Sequence, residues 1–153
     1  MSQSRKCNWC GEVKALENFD QSKQSRQCNT CKLARRKATI SSSPFNYMHN
    51  LHTQLKYARK KQGYKWSITP KDLYIIYAEQ EGKCALTGVT LTYNKGVGVE
   101  SEFNISIDRI DSSGDYTVEN IQLLGKVINF LKHDIPQEKF IKLVNLIYNN
   151  TNG

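Results

Sequence analysis

The chain has 153 residues, 24% of them charged and 39% hydrophobic, and its formal net charge is +8. This length fits one medium domain or two small ones, and no apolar run approaches the ~20 residues that a membrane-spanning helix needs. Because the N-terminal MSQSRKC lacks the apolar core of a signal peptide, we expect an intracellular, cytoplasmic protein.

The positive charge is concentrated in the first part of the chain. Residues 1–65 hold 14 Lys and Arg against 3 Asp and Glu, a net charge of +11, whereas residues 66–153 hold 8 against 11, a net charge of −3. A basic segment is typical of nucleic-acid binding, because Lys and Arg replace the counterions on phosphates. A mildly acidic segment is compatible with carboxylates that hold a divalent cation. The basic charge could instead serve solubility alone.

Four of the five cysteines fall in KCNWCGEVKALENFDQSKQSRQCNTC, as two CxxC pairs that 17 residues separate. This pattern predicts a tetrahedral Zn²⁺ site with four thiolate ligands: Cys7, Cys10, Cys28 and Cys31. Two disulfides are the alternative, which a reducing cytoplasm disfavours. A segment this short cannot bury enough apolar surface to fold alone, so the metal would supply folding free energy. We expect Trp9, Leu16 and Phe19 to form its small core.

The next segments predict a basic linker followed by two helices. KLARRKATISSSP is polar and basic, and Ser43 and Pro44 have the residue types of a helix start. The helix that follows has an apolar stripe and a basic C-terminal end that could lie along a phosphate backbone or be a solvated face. Thr69 and Pro70 start another helix. The cations that we expect to contact nucleic acid are Arg35, Arg36, Lys37, Lys56, Arg59, Lys60 and Lys61.

His49 and His52 lie three residues apart on the first of these helices, a spacing at which they could share a metal. No third ligand is evident nearby, so we interpret them as ordinary surface histidines. Farther along, residues 89–93 and 105–109 alternate in hydropathy and predict a hairpin with a Gly-rich loop. IQLL predicts a short strand, GKVINFLKHD a short helix, and PQEKFIKLVNLIYNN a terminal helix.

The segment between Ile105 and His133 holds a set of possible metal ligands. Asp108, at the end of a strand, offers a hard oxygen suited to Mg²⁺ or Mn²⁺. Asn129 and His133 lie four residues apart on a predicted helix, so they would share a face. Asn120 could pin the preceding loop through hydrogen bonds. Alternatively, the charged residues form a surface network and the asparagines are only caps and turn residues.

The run SIDRIDSSGDYTVENIQLLGKVINFLK resembles the HNH, or ββα-metal, endonuclease family, and KCALTG looks like that family's usual lead-in. The resemblance covers about residues 70–133, and relatives in phages and mobile elements carry a similar zinc ribbon. It implies that Asp108 binds the metal, that Asn120 fixes the loop, and that Asn129 and His133 are further ligands. Some members have a second four-cysteine site, but here Cys84 stands alone, and we expect it to be a buried small hydrophobe.

Arg109 occupies the position at which the family has a histidine that acts as general base. Arginine is too weak a base for this task, but it can hold a phosphate oxygen with two hydrogen bonds. Three routes for removing the proton remain open: activation of the water by the metal without a protein base, His133 as the base, or an approach by Tyr116 or Asp111. We favour Arg109 on the phosphate and His133 on the metal.

These observations predict an α+β fold with three parts: a zinc ribbon over residues 1–40, a basic linker helix over 41–65, and an HNH-like ββα-metal domain with a C-terminal helix over 66–153. The predicted function is a metal-dependent DNA endonuclease that nicks double-stranded DNA and comes from a phage or mobile element. One alternative is a nucleic-acid-binding protein on the same scaffold that does not cleave, and another is an enzyme or binder directed to RNA.

Overall fold

The computed structural model describes residues 3–21, 24–95 and 101–152. Over these ranges the chain is an α+β protein, as predicted, with two small antiparallel sheets and five helices. The elements are β1 (Ser4–Lys6), β2 (Val13–Ala15), α1 (Asn29–Ile40), α2 (Pro44–Lys61), α3 (Pro70–Glu79), β3 (Ile105–Arg109), β4 (Ile121–Gly125), α4 (Lys126–Lys132) and α5 (Gln137–Asn152). No helix among the described residues is long and apolar enough to cross a membrane.

The N-terminal unit is built around its cysteines. Strands β1 and β2 pair antiparallel, with Ser4 opposite Ala15. Phe19 packs with the buried Cys7 and Cys28 in a small core of its own. The prediction is wrong for Leu16, which is half-buried and outside this cluster. It is also wrong for Trp9, because its side chain is 62% exposed and lies beside the guanidinium of Arg35.

The segment predicted as a linker is a helix. Helix α1 begins directly after Cys28, which is its N-cap residue, and continues to Ile40. Its sequence is rich in Lys, Arg, Ala and Leu, which are strong helix formers, and none of its residues is buried. Polar, basic composition is therefore a sign of exposure here and not of an irregular chain.

Helices α2 and α3 begin where the sequence predicts. The Ser43 hydroxyl accepts a hydrogen bond from the backbone N–H of Asn46, and Thr69 forms a reciprocal capping box with Asp72. The interpretation of both histidines on α2 as surface residues is wrong for one of them. His52 is buried, with Nε2 lying 2.9 Å from Ile68 O and 3.0 Å from Trp66 Nε1.

The main core joins α2 to the C-terminal part of the chain. Met48 from α2 and Leu73 from α3 are completely buried beside Leu123 and Leu124 of β4. Cys84 is buried in the same cluster, as predicted. The basic helix is thus part of the scaffold that supports the β3–β4 hairpin.

Strand β3 pairs with a different strand from the one predicted. Strand β3 pairs antiparallel with β4, and residues 89–93 form only isolated bridges, such as Thr92 to Asn104. Alternating hydropathy identified β3 correctly, but it carries no information about which strand lies opposite. Residues 96–100 of the predicted Gly-rich loop lie outside the described residues. Helix α4 follows β4 directly and packs on the hairpin, which gives a ββα unit.

Candidate active site

A cleft of about 550 Å³ opens where the β3–β4 hairpin, α4 and the end of α2 meet. Four of the five residues predicted as catalytic line this cleft, whereas Asn120 does not. The polar and aromatic residues around it include Arg59, Tyr64, Asp108, Arg109, Asn129 and His133. The β3–β4 hairpin and α4 together therefore gather most of the predicted site at one opening.

Asp108 is held on both of its oxygens. It lies directly opposite Gln122 in the β3–β4 register, so Gln122 Nε2 donates to Asp108 Oδ2 at 2.8 Å. On the other side, Lys132 Nζ lies 3.1 Å from Asp108 Oδ1. The Asp108 side chain is only 4% exposed, so its orientation is fixed by these two partners. Each carboxylate oxygen has a second lone pair, which leaves the group able to bind a cation as well.

Lys132 is a residue of the site that the sequence interpretation missed. Its side chain is completely buried, and its ammonium group also donates to the carbonyl oxygen of Arg109 at 2.8 Å. A buried ammonium is costly unless it is paired, and here it has an anion and a carbonyl as partners. A signal was present, because Lys132 follows Asn129 by three residues and so shares its helix face.

Asn129 is oriented by the strand beneath it. Its Nδ2 donates to Ser106 Oγ at 2.7 Å and to Ile107 O at 3.1 Å. With both amide hydrogens directed at β3, the amide oxygen is the atom available to a cation in the cleft. This arrangement depends on Ser106, whose side chain is on the same strand face as Asp108.

His133 lies beyond the helix on which it was placed. Helix α4 ends at Lys132, and His133 has a φ of +47°, so it does not continue the helix face of Asn129. Its Nδ1 lies 3.2 Å from Asp134 Oδ2, and both residues line the cleft. The turn is held by Ser112, whose hydroxyl donates to Asp134 O at 2.8 Å. The shared helix face that suggested a metal-ligand role is therefore absent.

Arg109 is fixed by an aromatic support. Its Nη1 donates to Gly114 O at 2.8 Å, and its Cζ lies 4.2 Å from the ring centroid of Tyr64 and 5.1 Å from that of Tyr116. Tyr116 in turn stacks on Trp66 at 4.6 Å. A guanidinium held over ring faces keeps its charge and loses its mobility, which suits a fixed anion-binding group.

Two residues considered as proton acceptors are poorly suited to the task. Asp111 does not line the cleft, and hydrogen bonds from the Ser113 hydroxyl and backbone hold the pKa of its carboxyl below the ordinary value. Tyr116 does line the cleft, but burial raises the pKa of its phenol, although the neighbouring Arg59 and Arg109 oppose this shift. A phenol with a raised pKa is largely protonated at neutral pH.

Asn120 holds the loop between the strands. Its Oδ1 accepts from Asp111 N at 2.9 Å, and its Nδ2 donates to Asp111 O and to Asp115 O, at 3.0 and 2.9 Å. Gly114 is required here, because a Cβ at that position would lie 2.7 Å from Asn120 Nδ2. The same loop places Gly114 O where it accepts a hydrogen bond from Arg109 Nη1. Asn120 therefore holds the loop that positions Arg109.

The predicted nucleic-acid-binding cations occupy two helices. Arg35, Arg36 and Lys37 are on α1, and Lys56, Arg59, Lys60 and Lys61 are on α2. Arg59 lines the cleft itself and donates to Gln62 Oε1 at 2.8 Å, while its buried Nε has no partner. This side chain therefore presents positive charge beside Arg109 and not only along the outer face of the helix.

The four N-terminal cysteines meet at one point. Their sulfur atoms all lie within 4.8 Å of one another, and within the described ranges they are the one group of three or more His, Cys, Asp or Glu side chains placed to hold a metal ion. The N–H groups of Cys28 and Trp9 donate to Cys7 Sγ at 3.3 and 3.4 Å. Backbone hydrogen bonds, first of all the one from Cys28, lower the pKa of Cys7 to about 6, which favours the thiolate that a metal binds.

The fold and the site define a ββα unit with a basic cleft, attached to a four-cysteine unit. No protein-family model matches the sequence, and no curated protein matches it. Among solved structures, the chain is similar to the rare-cutting HNH restriction endonuclease PacI, whose structure is described for its mechanism of DNA perturbation. The two share 18% identity with a TM-score of 0.45, over 94% of this chain and 92% of that one.

Proposed function

We propose that this protein is a metal-dependent DNA endonuclease of the HNH type that hydrolyses phosphodiester bonds. The observation that carries the proposal is the meeting of an oriented carboxylate, an oriented amide and a fixed guanidinium, from Asp108, Asn129 and Arg109, in one cleft. Such a cleft offers hard oxygen ligands to a divalent cation and a separate positive charge to a phosphate.

The metal would be Mg²⁺ or Mn²⁺, held by Asp108 and by the amide oxygen of Asn129. These donors fit a small hard cation, which is commonly bound by one or two carboxylates together with substrate phosphates. When bound, the ion supplies Lewis-acid stabilisation of the phosphate and a lower pKa for water. Because Lys132 already neutralises Asp108, we expect the substrate phosphate to contribute much of the affinity for the metal.

Arg109 would bind a non-bridging phosphate oxygen. Its side chain is positioned before substrate arrives, by Gly114 O and by the rings of Tyr64 and Tyr116. A preorganised charge stabilises the developing negative charge of the transition state without the cost of ordering the side chain. Arg59, beside it in the cleft, would bind the adjacent phosphate.

We assign His133 the task of accepting the proton of the attacking water, in place of the ligand role that its predicted helix position favoured. His133 Nδ1 faces Asp134 Oδ2 at 3.2 Å, so Nε2 would be the ring nitrogen that accepts the proton. A base that a carboxylate orients is a common arrangement in hydrolases. The four-cysteine unit would hold structural Zn²⁺ and, with α1 and α2, would bind duplex DNA.

The test is the conversion of supercoiled plasmid to nicked circles by the purified protein with Mg²⁺ or Mn²⁺, compared with EDTA. Asp108→Asn keeps the size of the side chain and removes its charge, so nicking should fall at least ~100-fold with DNA binding retained. Glu119→Gln, an equal change at an exposed position outside the cleft, is the matched control and should nick like the wild type. Equal nicking by Asp108→Asn and wild type would contradict the proposed site.

A second candidate function is DNA or RNA binding without cleavage. The Lys132–Asp108 ion pair favours it, because a neutralised carboxylate attracts a divalent cation less strongly. Under this alternative the wild-type protein would retard plasmid in a gel at every metal concentration and would produce no nicked circles. Gel retardation of RNA and DNA of matched length would distinguish the two nucleic acids.

A further inference from the structure

Another cavity lies in the N-terminal unit, between strand β1 and the loop that precedes helix α1. Its volume is about 370 Å³, and its lining residues are Arg5, Lys6, Asn8, Gln24 and Arg26. Three of these side chains are cations and two are amides, and no carboxylate of the described residues lines the cavity. A recess of this composition offers positive charge together with hydrogen-bond donors, which fits an anion.

Hydrogen bonds hold the two walls of this cavity together. Arg5 Nη1 donates to Ser25 O at 2.8 Å, and the backbone N–H of Asn8 donates to Arg26 O at 3.0 Å. The Arg5 guanidinium also lies over the ring of Phe19, with Cζ 5.7 Å from the ring centroid. A guanidinium that is fixed in this way can bind an anion without the cost of ordering the side chain.

The cysteine cluster connects the same two walls. Asn8 lies between Cys7 and Cys10 in the first CxxC pair. Arg26 comes shortly before Cys28, whose backbone N–H donates to Cys7 Sγ at 3.3 Å. Ligation of one metal by both CxxC pairs would therefore also hold the cavity in shape, which gives the four-cysteine unit a task beyond its own folding.

The cations of this cavity are available to a ligand. Elsewhere in the same unit, Lys14 Nζ lies 2.9 Å from Glu12 Oε2 and is neutralised by it. Within the described ranges, neither Lys6 nor Arg26 forms an ion pair of this kind. Both residues are exposed, so their charges can reach an anion from solution.

We propose that this cavity binds a phosphate of the DNA backbone, with Arg5, Lys6 and Arg26 as the contacts. None of the three lies on α1 or α2, whose cations were predicted to contact nucleic acid. A nucleic acid is favoured over a free phosphate because residues 1–65 carry a net charge of +11, which suits a polyanion that crosses several sites. The inference rests on the DNA-binding part of the proposed function and not on cleavage.

The experiment measures binding of a fluorescently labelled DNA duplex by anisotropy at increasing salt concentration, with no added Mg²⁺ or Mn²⁺. Each lost phosphate contact lowers the dependence of log affinity on log salt concentration by about 1. Lys6→Gln combined with Arg26→Gln should therefore lower this slope by about 2 and weaken binding at least ~10-fold. Either substitution alone should account for about half of the change in slope.

The matched control is Lys14→Gln combined with Lys32→Gln. It removes the same net charge from lysines that already have carboxylate partners, since Lys32 Nζ lies 2.9 Å from Asp20 Oδ2. The slope should stay close to that of the wild type. Zinc content equal to that of the wild type should show that the N-terminal unit is folded in both double variants.

Three results would overturn the proposal. The first is an unchanged slope in the cavity variant, and the second is an equal decrease in the control, which would be a response to net charge alone. The third is saturable binding of inorganic phosphate, measured by calorimetry, that the cavity variant loses while its DNA slope is unchanged. A wild-type protein that does not bind DNA would contradict the proposed function as well, so the two failures are distinguishable.

Discussion

The ammonium of Lys132 lies 3.1 Å from the carboxylate of Asp108, and neither side chain has appreciable contact with solvent. The pair joins α4 to β3 and fixes the carboxylate that would hold the metal. Removing either partner alone leaves a buried charge without its counterion, which is more costly than removing both. Activity measurements on variants of Asp108 therefore need a measurement of stability beside them.

The ion pair predicts a strong coupling in a double-mutant cycle. Lys132→Met should lower the free energy of unfolding by about 3–5 kcal/mol, because Asp108 stays buried and charged. Adding Asp108→Asn should restore a large part of that loss, since the amide is uncharged and can still accept from Gln122. Urea denaturation of the four proteins measures the coupling. Additive effects of the two substitutions would show that the groups do not interact.

Kinetic measurements can distinguish whether His133 accepts the proton of the attacking water or binds the metal. His133→Ala should lower the nicking rate by about 100-fold or more, the usual contribution of a general base. The Mg²⁺ concentration that gives half the maximal rate should stay the same, because a residue that accepts the proton does not bind the ion. His49→Ala, at an exposed histidine of α2, is the control. A large increase in the Mg²⁺ requirement of His133→Ala would identify the side chain as a ligand instead.

Loss of the thiolate site should unfold the N-terminal unit and spare the core. In Cys28→Ser we expect no bound zinc and a loss of ordered structure over residues 1–40, since the small core there contains Cys7 and Cys28 themselves. The main cluster around Met48 and Leu73 is separate and should still unfold cooperatively. Zinc content measures the loss of the metal, and circular dichroism measures the loss of ordered structure in the N-terminal unit. Cys84→Ser should keep its zinc, and full zinc content in Cys28→Ser would disprove the four-thiolate site.

The capping box of α3 predicts a pH dependence of stability. Hydrogen bonds from the Thr69 hydroxyl and backbone lower the pKa of Asp72 in the folded protein. A lowered pKa means that the stabilising contribution is complete above the unfolded-state pKa and is lost as the pH falls through the folded-state value. The difference in unfolding free energy between wild type and Asp72→Ala should thus be constant near neutral pH and shrink below about pH 4. A difference in unfolding free energy that grows as the pH falls would refute the stabilising role of the Thr69–Asp72 capping box.

The sequence predicted best the features that are local. The caps at Ser43 and Thr69 follow from residue type and spacing, and so do strand β3 and the four-cysteine cluster. The partner of β3 could not be predicted in this way, because strand pairing depends on packing between segments far apart in the chain. Helix α1 was missed because its composition was interpreted as a linker when it also has a high helix propensity.

In the candidate site, too, the contacts between distant segments could not be predicted from the sequence. Asp108, Arg109 and Asn129 could be named because each has a chemical function that a motif suggests. Lys132 resembles any helical lysine in the sequence, and its burial against Asp108 becomes visible only when α4 is packed on β3. The end of α4 at Lys132 likewise depends on the turn that Ser112 holds through Asp134 O.

Metal-dependent hydrolysis of DNA in the cleft that contains Asp108 is the central claim about the function of this protein. The most direct measurement is the fraction of supercoiled plasmid converted to nicked circles with Mg²⁺ or Mn²⁺, for wild type and Asp108→Asn at equal DNA binding. We expect the wild type to nick in a manner that EDTA abolishes, and Asp108→Asn to be at least ~100-fold slower. Absence of metal-dependent nicking by the wild type, or nicking at the same rate in both proteins, would contradict the claim.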